Sequence, residues 1–337
     1  MIKYIGSKRL LIPAIREVVR GMPEVKSVLD LFSGTSRVGH ALKQDGYQVF
    51  ANDHNAYAAT LARCYVAADQ ERVEAEAKRI LEALDALPGK AGYFTETFCI
   101  QSRFFQPQNG ERVDAIREAI ASMSLSPELE AVLLVSLMEA ADRVDSTTGV
   151  QMAYLKQWAK RASNPLRLRM PELATASKHG PCLAFERDAL ELLSDVEADL
   201  AYIDPPYNQH KYLGNYHVWE SLVRWDKPEV YGTACKRIDC KTRSSEFNSK
   251  PRFEAAFEAL IHAVHAKRLF ISFSDEGYLS RDAIMRILGT RGDVTVLEHD
   301  YKRYVGAQIG IHNLKGEVVG KVSHLRNKEF LFVVDAR

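Results

Sequence analysis

Asp204-Pro205-Pro206-Tyr207 follows the apolar run Leu200-Ala201-Tyr202-Ile203, which puts a carboxylate, a stiff turn and an aromatic ring at the carboxyl end of an expected strand. Open α/β sheets hold their ligands there. The four residues suit a planar ring that bears an amino group. Asp204 accepts a hydrogen bond from the amine, Tyr207 stacks on the ring face, and the prolines remove backbone donors while restricting the turn. An ordinary strand-end turn can carry the same Pro-Pro step, so the reading needs a second feature elsewhere in the chain.

That feature lies upstream, in Ser27-Val28-Leu29-Asp30-Leu31-Phe32-Ser33-Gly34-Thr35-Ser36-Arg37-Val38-Gly39. An apolar strand enters a small-residue turn and then the helical spacing of Val38, Ala41 and Leu42. A dinucleotide site would show G-x-G-x-x-G to bring a pyrophosphate onto the helix start. Here only Gly34 and Gly39 remain, and Asp30 would repel phosphate. The turn suits a ligand with a cationic end, such as the amino group and sulfonium of S-adenosyl-L-methionine, better than NAD. A second strand, Tyr47 to Ala51, ends in Asn52-Asp53, where an acid is placed to accept two ribose hydroxyls.

Lys3-Tyr4-Ile5-Gly6-Ser7-Lys8, DLFSGTSRVG, Ala51-Asn52-Asp53 and DPPY occur in that order, and by this combination the chain resembles the Dam-like D12 class of adenine-specific DNA methyltransferases. The resemblance covers about residues 1 to 55 and 181 to 337. It implies a class I methyltransferase-type, Rossmann-like α/β sheet and S-adenosyl-L-methionine as cofactor. It also implies that Lys8 reaches the donor carboxylate, Tyr4 lies near the donor adenine and Asp30 near the methionine moiety. Phe32, Ser33, Gly34, Thr35 and Ser36 form the cofactor loop, Asp53 is the ribose ligand, and Asp188 of the Arg187-Asp188 step meets the adenine amino end. Asp204 borders both substrate and cofactor. The family usually has a second loop glycine where Ser36 stands.

The chain has 337 residues, 46% of them hydrophobic, enough for an α/β core plus a further module. Its 45 basic and 44 acidic residues leave a formal charge of +1, so any grip on nucleic acid must come from local patches. No apolar run has transmembrane length and no signal sequence is recognisable, so no membrane role is expected. The five cysteines form no disulfide framework, and a reducing cytoplasm is the expected setting. Cys235 and Cys240 lack the spacing of a zinc knuckle, and His210 and His217 lack a third ligand, so no metal is expected.

Alternation and spacing place a first helix over residues 9–20 and strands near 27–31, 48–52, 182–186, 199–203, 268–274, 294–299 and 329–334. The expected sheet is mostly parallel with a late antiparallel hairpin, because no clear crossover helix joins the last two strands. Strands two and three are separated by about 125 residues, far more than a crossover needs. Residues 56–180 therefore read as an inserted, mainly helical target-recognition domain, and 1–55 with 181–337 as the catalytic domain. Helical spacing covers Tyr57 to Leu87, Asp114 to Met123, Pro127 to Val144 and Val150 to Ala162. Pro88-Gly89, Gln106 to Gly110 and Pro165 to Gly180 read as joints.

Two basic stretches are candidates for DNA. Within the insertion, Lys156, Lys160, Arg161, Arg167, Arg169 and Lys178 can straddle a groove, and Arg103 and Gln106 carry groups suited to base edges. A solvated helix face is the plainer account of the lysines and arginines. Phe104 and Phe105 can simply anchor their loop in the core. After DPPY, the stretch from Lys236 through Arg237, Lys241 and Arg243 to Lys250 and Arg252 has six positive and two negative side chains. It reads as a mobile segment that orders on the DNA backbone.

An exocyclic amine is a poor nucleophile because its lone pair is delocalised into the ring. Asp204 and the Pro205 carbonyl can accept its two hydrogens and aim the lone pair at a donor methyl. A base stacked in duplex DNA must be flipped to reach such a pocket, with Tyr207 replacing part of the lost stacking. The expected partners are double-stranded DNA and a companion restriction endonuclease, and the expected state is a monomer or weak dimer. A cytosine-N4 methyltransferase, an RNA adenine methyltransferase and a catalytically silent DNA-binding specificity protein remain as alternatives.

Overall fold

A computed structural model describes residues 1–302, 311–312, 318–320 and 326–336. The chain divides into two compact units, residues 1–192 with 211–244 and residues 193–210 with 245–337.

In the first unit, β1 (Ser27–Asp30), β2 (Gln48–Asp53) and β3 (Leu183–Glu186) lie parallel in the order β3-β2-β1. Val28, Leu29, Val49 and Ala51 are fully buried, the signature of parallel strands covered on both faces. The longer helices that accompany them are α1 (Ile12–Arg20), α2 (Arg37–Gln44), α3 (Ala56–Ala62), α4 (Gln70–Asp85), α5 (Pro107–Ala121), α6 (Pro127–Val144) and α7 (His217–Arg224). The start of α6 follows from local chemistry. Ser126 accepts the Leu129 N–H at 3.3 Å, and Pro127 occupies the first turn, where its missing donor costs nothing. Leu133, Leu134, Val135, Leu137 and Met138 are all buried, so α6 is apolar around its circumference and forms the centre of the helical core.

Three expectations are corrected in this unit. The helix expected over Tyr57 to Leu87 is broken: α3 passes into a π-turn at Arg63–Ala67, Ala68 is extended, and α4 begins afresh. The joint expected at Gln106 to Gly110 is instead the first turn of α5, because Pro107 presets the helix and Gln106 provides the carbonyl for the Asn109 and Gly110 N–H groups. The helix expected over 150–162 is a loop that closes in the single 3₁₀ turn Lys160–Ser163. Long-range hydrogen bonds outweigh its weak periodicity. The Gln151 side chain accepts the Val218 N–H at 2.9 Å, its own N–H donates to the Asn215 carbonyl at 2.8 Å, and its carbonyl meets His217 Nε2 at 2.9 Å. Residues 56–180 belong wholly to this unit, where Tyr57, Phe94, Phe105 and Leu133 share one core with Trp219.

In the second unit, β4 (Ala198–Ile203) pairs in parallel with β5 (Ala266–Ser274). Helices α8 (Lys250–Ala263) and α9 (Arg281–Gly289) flank β5 in sequence. The expected late hairpin is present: β6 (Gly292–Lys302) and β7 (Arg326–Ala336) are antiparallel, with Val294 opposite Val334 and Glu298 opposite Phe330. Strand β7 is also antiparallel to β5, so it runs against both strands that it pairs with in this unit. Among the described residues no helix is long and apolar enough to cross a membrane, and no cluster of three His, Cys, Asp or Glu could hold a metal.

Candidate active site

The first unit gathers the residues expected around a methyl donor. The loop Phe32 to Ser36 leaves β1 and is tied to the end of β2 by the Ser33 N–H, which donates to the Asn52 carbonyl at 2.8 Å. Gly34 has φ +51, and its N–H donates to Asp53 Oδ2 at 3.0 Å. Asp53 Oδ1 accepts the Asn55 N–H at 2.9 Å, so two backbone donors fix the carboxylate at the strand end. Burial raises the Asp53 carboxyl above the usual carboxylate value against the pull of those donors, which favour the charged form. Asn52 holds the Arg187-Asp188 step from the other side: its Nδ2 donates to the Arg187 carbonyl and its Oδ1 accepts the Arg187 N–H, each at 3.2 Å. Asp188 is exposed on a cavity of about 500 Å³ whose wall also includes His54, Arg187 and Arg243.

Ser36 has φ +58 and ψ 23, so a serine adopts the left-handed conformation that glycine takes without cost. It caps α2 by position but makes no side-chain capping bond. Asp30 does that work from β1: its Oδ2 accepts the Gly39 N–H at 3.0 Å. A Cβ at Gly39 would lie 3.1 Å from that oxygen and 3.0 Å from Val66, so the close approach of α2 depends on glycine there. Thr35 is buried beside Ser36, and Phe32 is half-buried.

The N-terminal segment reaches the same loop. The Tyr4 ring lies against Gly34, where an added Cβ would stand 3.3 Å from it. Tyr4 stacks on Tyr212 and Tyr216 with ring centroids 5.3 and 4.6 Å away, and its hydroxyl meets that of Tyr57 at 3.3 Å. Burial raises the Tyr4 and Tyr57 hydroxyls well above their ordinary values, so both remain protonated donors. Lys8 is buried in the turn Lys8–Leu10. Tyr212 and Tyr216, which by sequence read as part of a substrate mouth after DPPY, are the two rings that pack on Tyr4.

The second unit carries DPPY on the end of β4. Ile203 is fully buried, Pro205 is buried, and Asp204, Pro206 and Tyr207 are half-buried. The Tyr207 ring packs on Phe273 with centroids 5.0 Å apart, and its carbonyl accepts the Tyr278 N–H at 2.9 Å. Asn248 Nδ2 donates to the carbonyls of Asn208 and His210 at 3.2 and 3.0 Å, and the Tyr278 hydroxyl donates to the Asn248 carbonyl at 3.3 Å. Asn248 and Tyr278 thus brace the turn, a role the sequence reading missed. Tyr278 follows the end of β5, and the rule that ligands gather at strand ends was a usable signal for it.

In the basic stretch after DPPY two of the expected DNA contacts already have protein partners. Arg237 is 3% exposed and forms ion pairs with Asp226 at 2.7 Å and Asp239 at 3.1 Å. Arg243 donates to Glu220 Oε1 at 2.8 Å and to the His54 carbonyl at 3.1 Å. These guanidinium groups are engaged inside the first unit, which also removes the expectation of a mobile segment for that part. Lys236 lies beside Met152 Sδ, while Lys241 stands 4.4 Å above the Tyr231 ring and is exposed, as is Lys250 at the start of α8. Arg167 and Arg169 are exposed, with Arg167 in a loose 3.4 Å pair with Asp85. Arg103 stacks on Trp158 at 4.8 Å, and Gln106 is the residue that precedes α5. His217 is buried and held neutral, its pKa lowered by burial to about 3, rather than lying at the surface.

Comparison with known proteins bears on the whole arrangement. Residues 4–285 match the model of the D12 class N6 adenine-specific DNA methyltransferases. The chain is 30% identical to the Type II methyltransferase M.NlaIII of Neisseria lactamica over 97% of its own length and 99% of that protein. It is 30% identical to the Type II methyltransferase M.CviAII of Paramecium bursaria Chlorella virus 1, covering 90% of this chain and 92% of the relative. It is 31% identical to the Type II methyltransferase M.FokI of Planomicrobium okeanokoites over 90% of this chain but 49% of that protein, so it spans about half of that relative. These matches establish that the chain belongs to the D12 class N6 adenine-specific DNA methyltransferases.

Proposed function

We propose that the chain takes its methyl group from S-adenosyl-L-methionine and delivers it to the exocyclic amine of an adenine flipped out of a specific duplex sequence. The single observation that carries the donor reading is the Asp53 turn. A carboxylate fixed by the Gly34 and Asn55 N–H groups stands beside a left-handed loop lined by the buried Ser33 and Ser36 hydroxyls. Those two hydroxyls and that of Ser7 have no hydrogen-bond partner among the described residues, which fits a polar ligand at this loop. Asp53 would accept the ribose hydroxyls, Tyr4 would lie near the adenine, Asp188 would take its amino end, and Lys8 would meet the donor carboxylate. Asp30, with one oxygen on Gly39, would face the cationic end.

The sulfonium supplies an already activated methyl group, so the protein needs no nucleophile of its own. Asp204 and the Pro205 carbonyl would accept the two hydrogens of the target amine and turn its lone pair toward the incoming methyl. Tyr207 would stack on the flipped base, its own ring held by Phe273. For the duplex, Arg103, Gln106, Arg167 and Arg169 in the segment 56–180 would supply target contacts, and Lys236, Lys241 and Lys250 would meet phosphates. The names of the relatives support a companion restriction endonuclease. Five free cysteines are in keeping with a reducing cytoplasm.

Parallel incubation with S-adenosyl-L-methionine and duplex DNA, single-stranded DNA or structured RNA, followed by nucleoside analysis, tests this reading. N6-methyladenine should form in the duplex. Methylated cytosine, or methylation confined to RNA, would defeat it.

A further inference from the structure

We propose that Glu220 and Arg243 are positioning residues for the methyl donor, acting through the turn that carries Asp53; the inference rests on the ribose-binding role proposed for Asp53. Glu220 lies on α7 with no exposed surface. Its Oε2 accepts the Tyr57 N–H at 3.1 Å, and its Oε1 accepts Arg224 Nε and an Arg243 guanidinium N–H, each at 2.8 Å. The second arm of Arg243 donates to the His54 carbonyl at 3.1 Å. One ion pair therefore holds the backbone on both sides of Asn55. Asn55 itself makes no side-chain capping bond on α3 and instead donates to Asp53 Oδ1. Residues 53 to 57 are thus fixed at Gly34, Glu220 and Arg243, and the Tyr57 hydroxyl carries the same constraint to Tyr4.

A buried charged pair is a poor way to gain stability, since well-packed apolar residues of similar size often serve as well. Apolar residues could not accept the Tyr57 N–H or donate to the His54 carbonyl. The pair does both at a turn where a small rotation would carry the Asp53 carboxylate away from a ribose. Burial alone would raise the Glu220 carboxyl, yet the Arg224 and Arg243 hydrogen bonds hold it below its ordinary value, so it remains a charged acceptor.

Calorimetric titration with S-adenosyl-L-methionine, in the absence of DNA, tests the proposal in a double-mutant cycle. Arg243→Met should raise the donor Kd about 10-fold, raise the donor KM in parallel, and leave kcat at saturating donor within about 3-fold. In an Asp53→Ala background the same substitution should change Kd by less than about 2-fold, because the carboxylate it positions is gone. Arg243→Lys, which keeps the charge beside Glu220 but lacks the fork, should fall between wild type and Arg243→Met; it serves in the cycle if the methionine variant does not fold. Unchanged donor affinity, or full additivity with Asp53→Ala, would overturn the proposal and leave the pair a structural role. If Asp53→Ala alone leaves Kd unaltered, the ribose assignment falls and the positioning role falls with it.

Discussion

Asp53 and Asp204 both stand at the end of a buried parallel strand, yet their surroundings differ. Asp53 receives backbone N–H groups from Gly34 and Asn55, which lock its two oxygens in place. Asp204 is followed by Pro205 and Pro206, neither of which has an N–H to offer. A carboxylate locked by the backbone is suited to hold a ligand in one orientation. At Asp204 the next two residues offer no backbone donor, and the adjacent Pro205 carbonyl adds a second acceptor at the same strand end. Under the proposed function the two strand-end acids would divide the work, Asp53 holding the donor and Asp204 meeting the target amine.

The sharpest way to break that distinction is to delete each acid and compare turnover with donor affinity. Asp204→Ala should lower kcat by about 10³-fold or more while changing the S-adenosyl-L-methionine Kd by less than about 2-fold. Equal losses in both would place Asp204 on the donor. Tyr207→Phe should retain most activity and Tyr207→Ala little of it, since the ring face is the proposed contact; a dead phenylalanine variant with intact fold would defeat stacking.

Asp53→Asn should have the opposite profile, a donor Kd raised by roughly 10-fold or more with a smaller effect on kcat at saturation. Its acidity gives a second test. Burial raises the Asp53 pKa, so the contribution of this group to folding is full below its unfolded value and is lost as pH rises through the folded one. The ionised carboxylate therefore costs stability at pH 7, while Asp53→Asn, which keeps one acceptor oxygen for two backbone donors, should weaken the donor complex without relieving that cost. Donor affinity of the wild type should decline on acidification earlier than an ordinary carboxylate near pH 4 would dictate. A donor affinity that stays constant on acidification down to about pH 4 would contradict this sign.

The basic stretches extend the same separation to DNA. Neutralising Arg167, Arg169, Lys241 and Lys250 together should weaken duplex binding and flatten its salt dependence by up to about 4 in log–log slope, with donor affinity unchanged. Arg237→Ala should act on stability instead, by about 2 kcal/mol, because it removes a buried guanidinium and its bonds to the more exposed Asp226 and Asp239. Fluorescence anisotropy across a salt series and thermal melts of both sets would decide; an Arg237 variant that melts like wild type and loses DNA would return that residue to the interface.

The strands were legible because β1, β2, β4 and β5 are continuous apolar runs with fully buried centres, and the acids at their ends are fixed by sequence adjacency. The roles of Arg237 and Arg243 were not legible, because local charge counting cannot see partners on other elements. Glu220 on α7 and Asp226 beyond it neutralise what reads as a free basic run. The 150–162 loop failed for a related reason: Gln151 is held by residues 215 to 218, distant in sequence. Asn248 was read within a DNA-binding stretch, although its side chain bridges two carbonyls of the turn after DPPY.

The smallest expected effect lies in the donor loop and tests whether its shape, rather than its side chain, is what binding needs. Ser36 is held at φ +58 with its hydroxyl buried and without a hydrogen-bond partner among the described residues. A left-handed conformation costs a non-glycine residue roughly 1 kcal/mol, and glycine adopts it freely. Ser36→Gly should therefore raise stability by about 1 kcal/mol or less, since part of the gain is offset by the larger entropy of the unfolded glycine chain. Donor affinity should stay within about 3-fold, because Gly34 and Asp53 keep the loop tied. Denaturant melts with and without S-adenosyl-L-methionine separate the two quantities. A stable variant that loses the donor by 10-fold or more would show that the Ser36 hydroxyl is itself a ligand contact, and the donor side would then rest on side chains as much as on backbone.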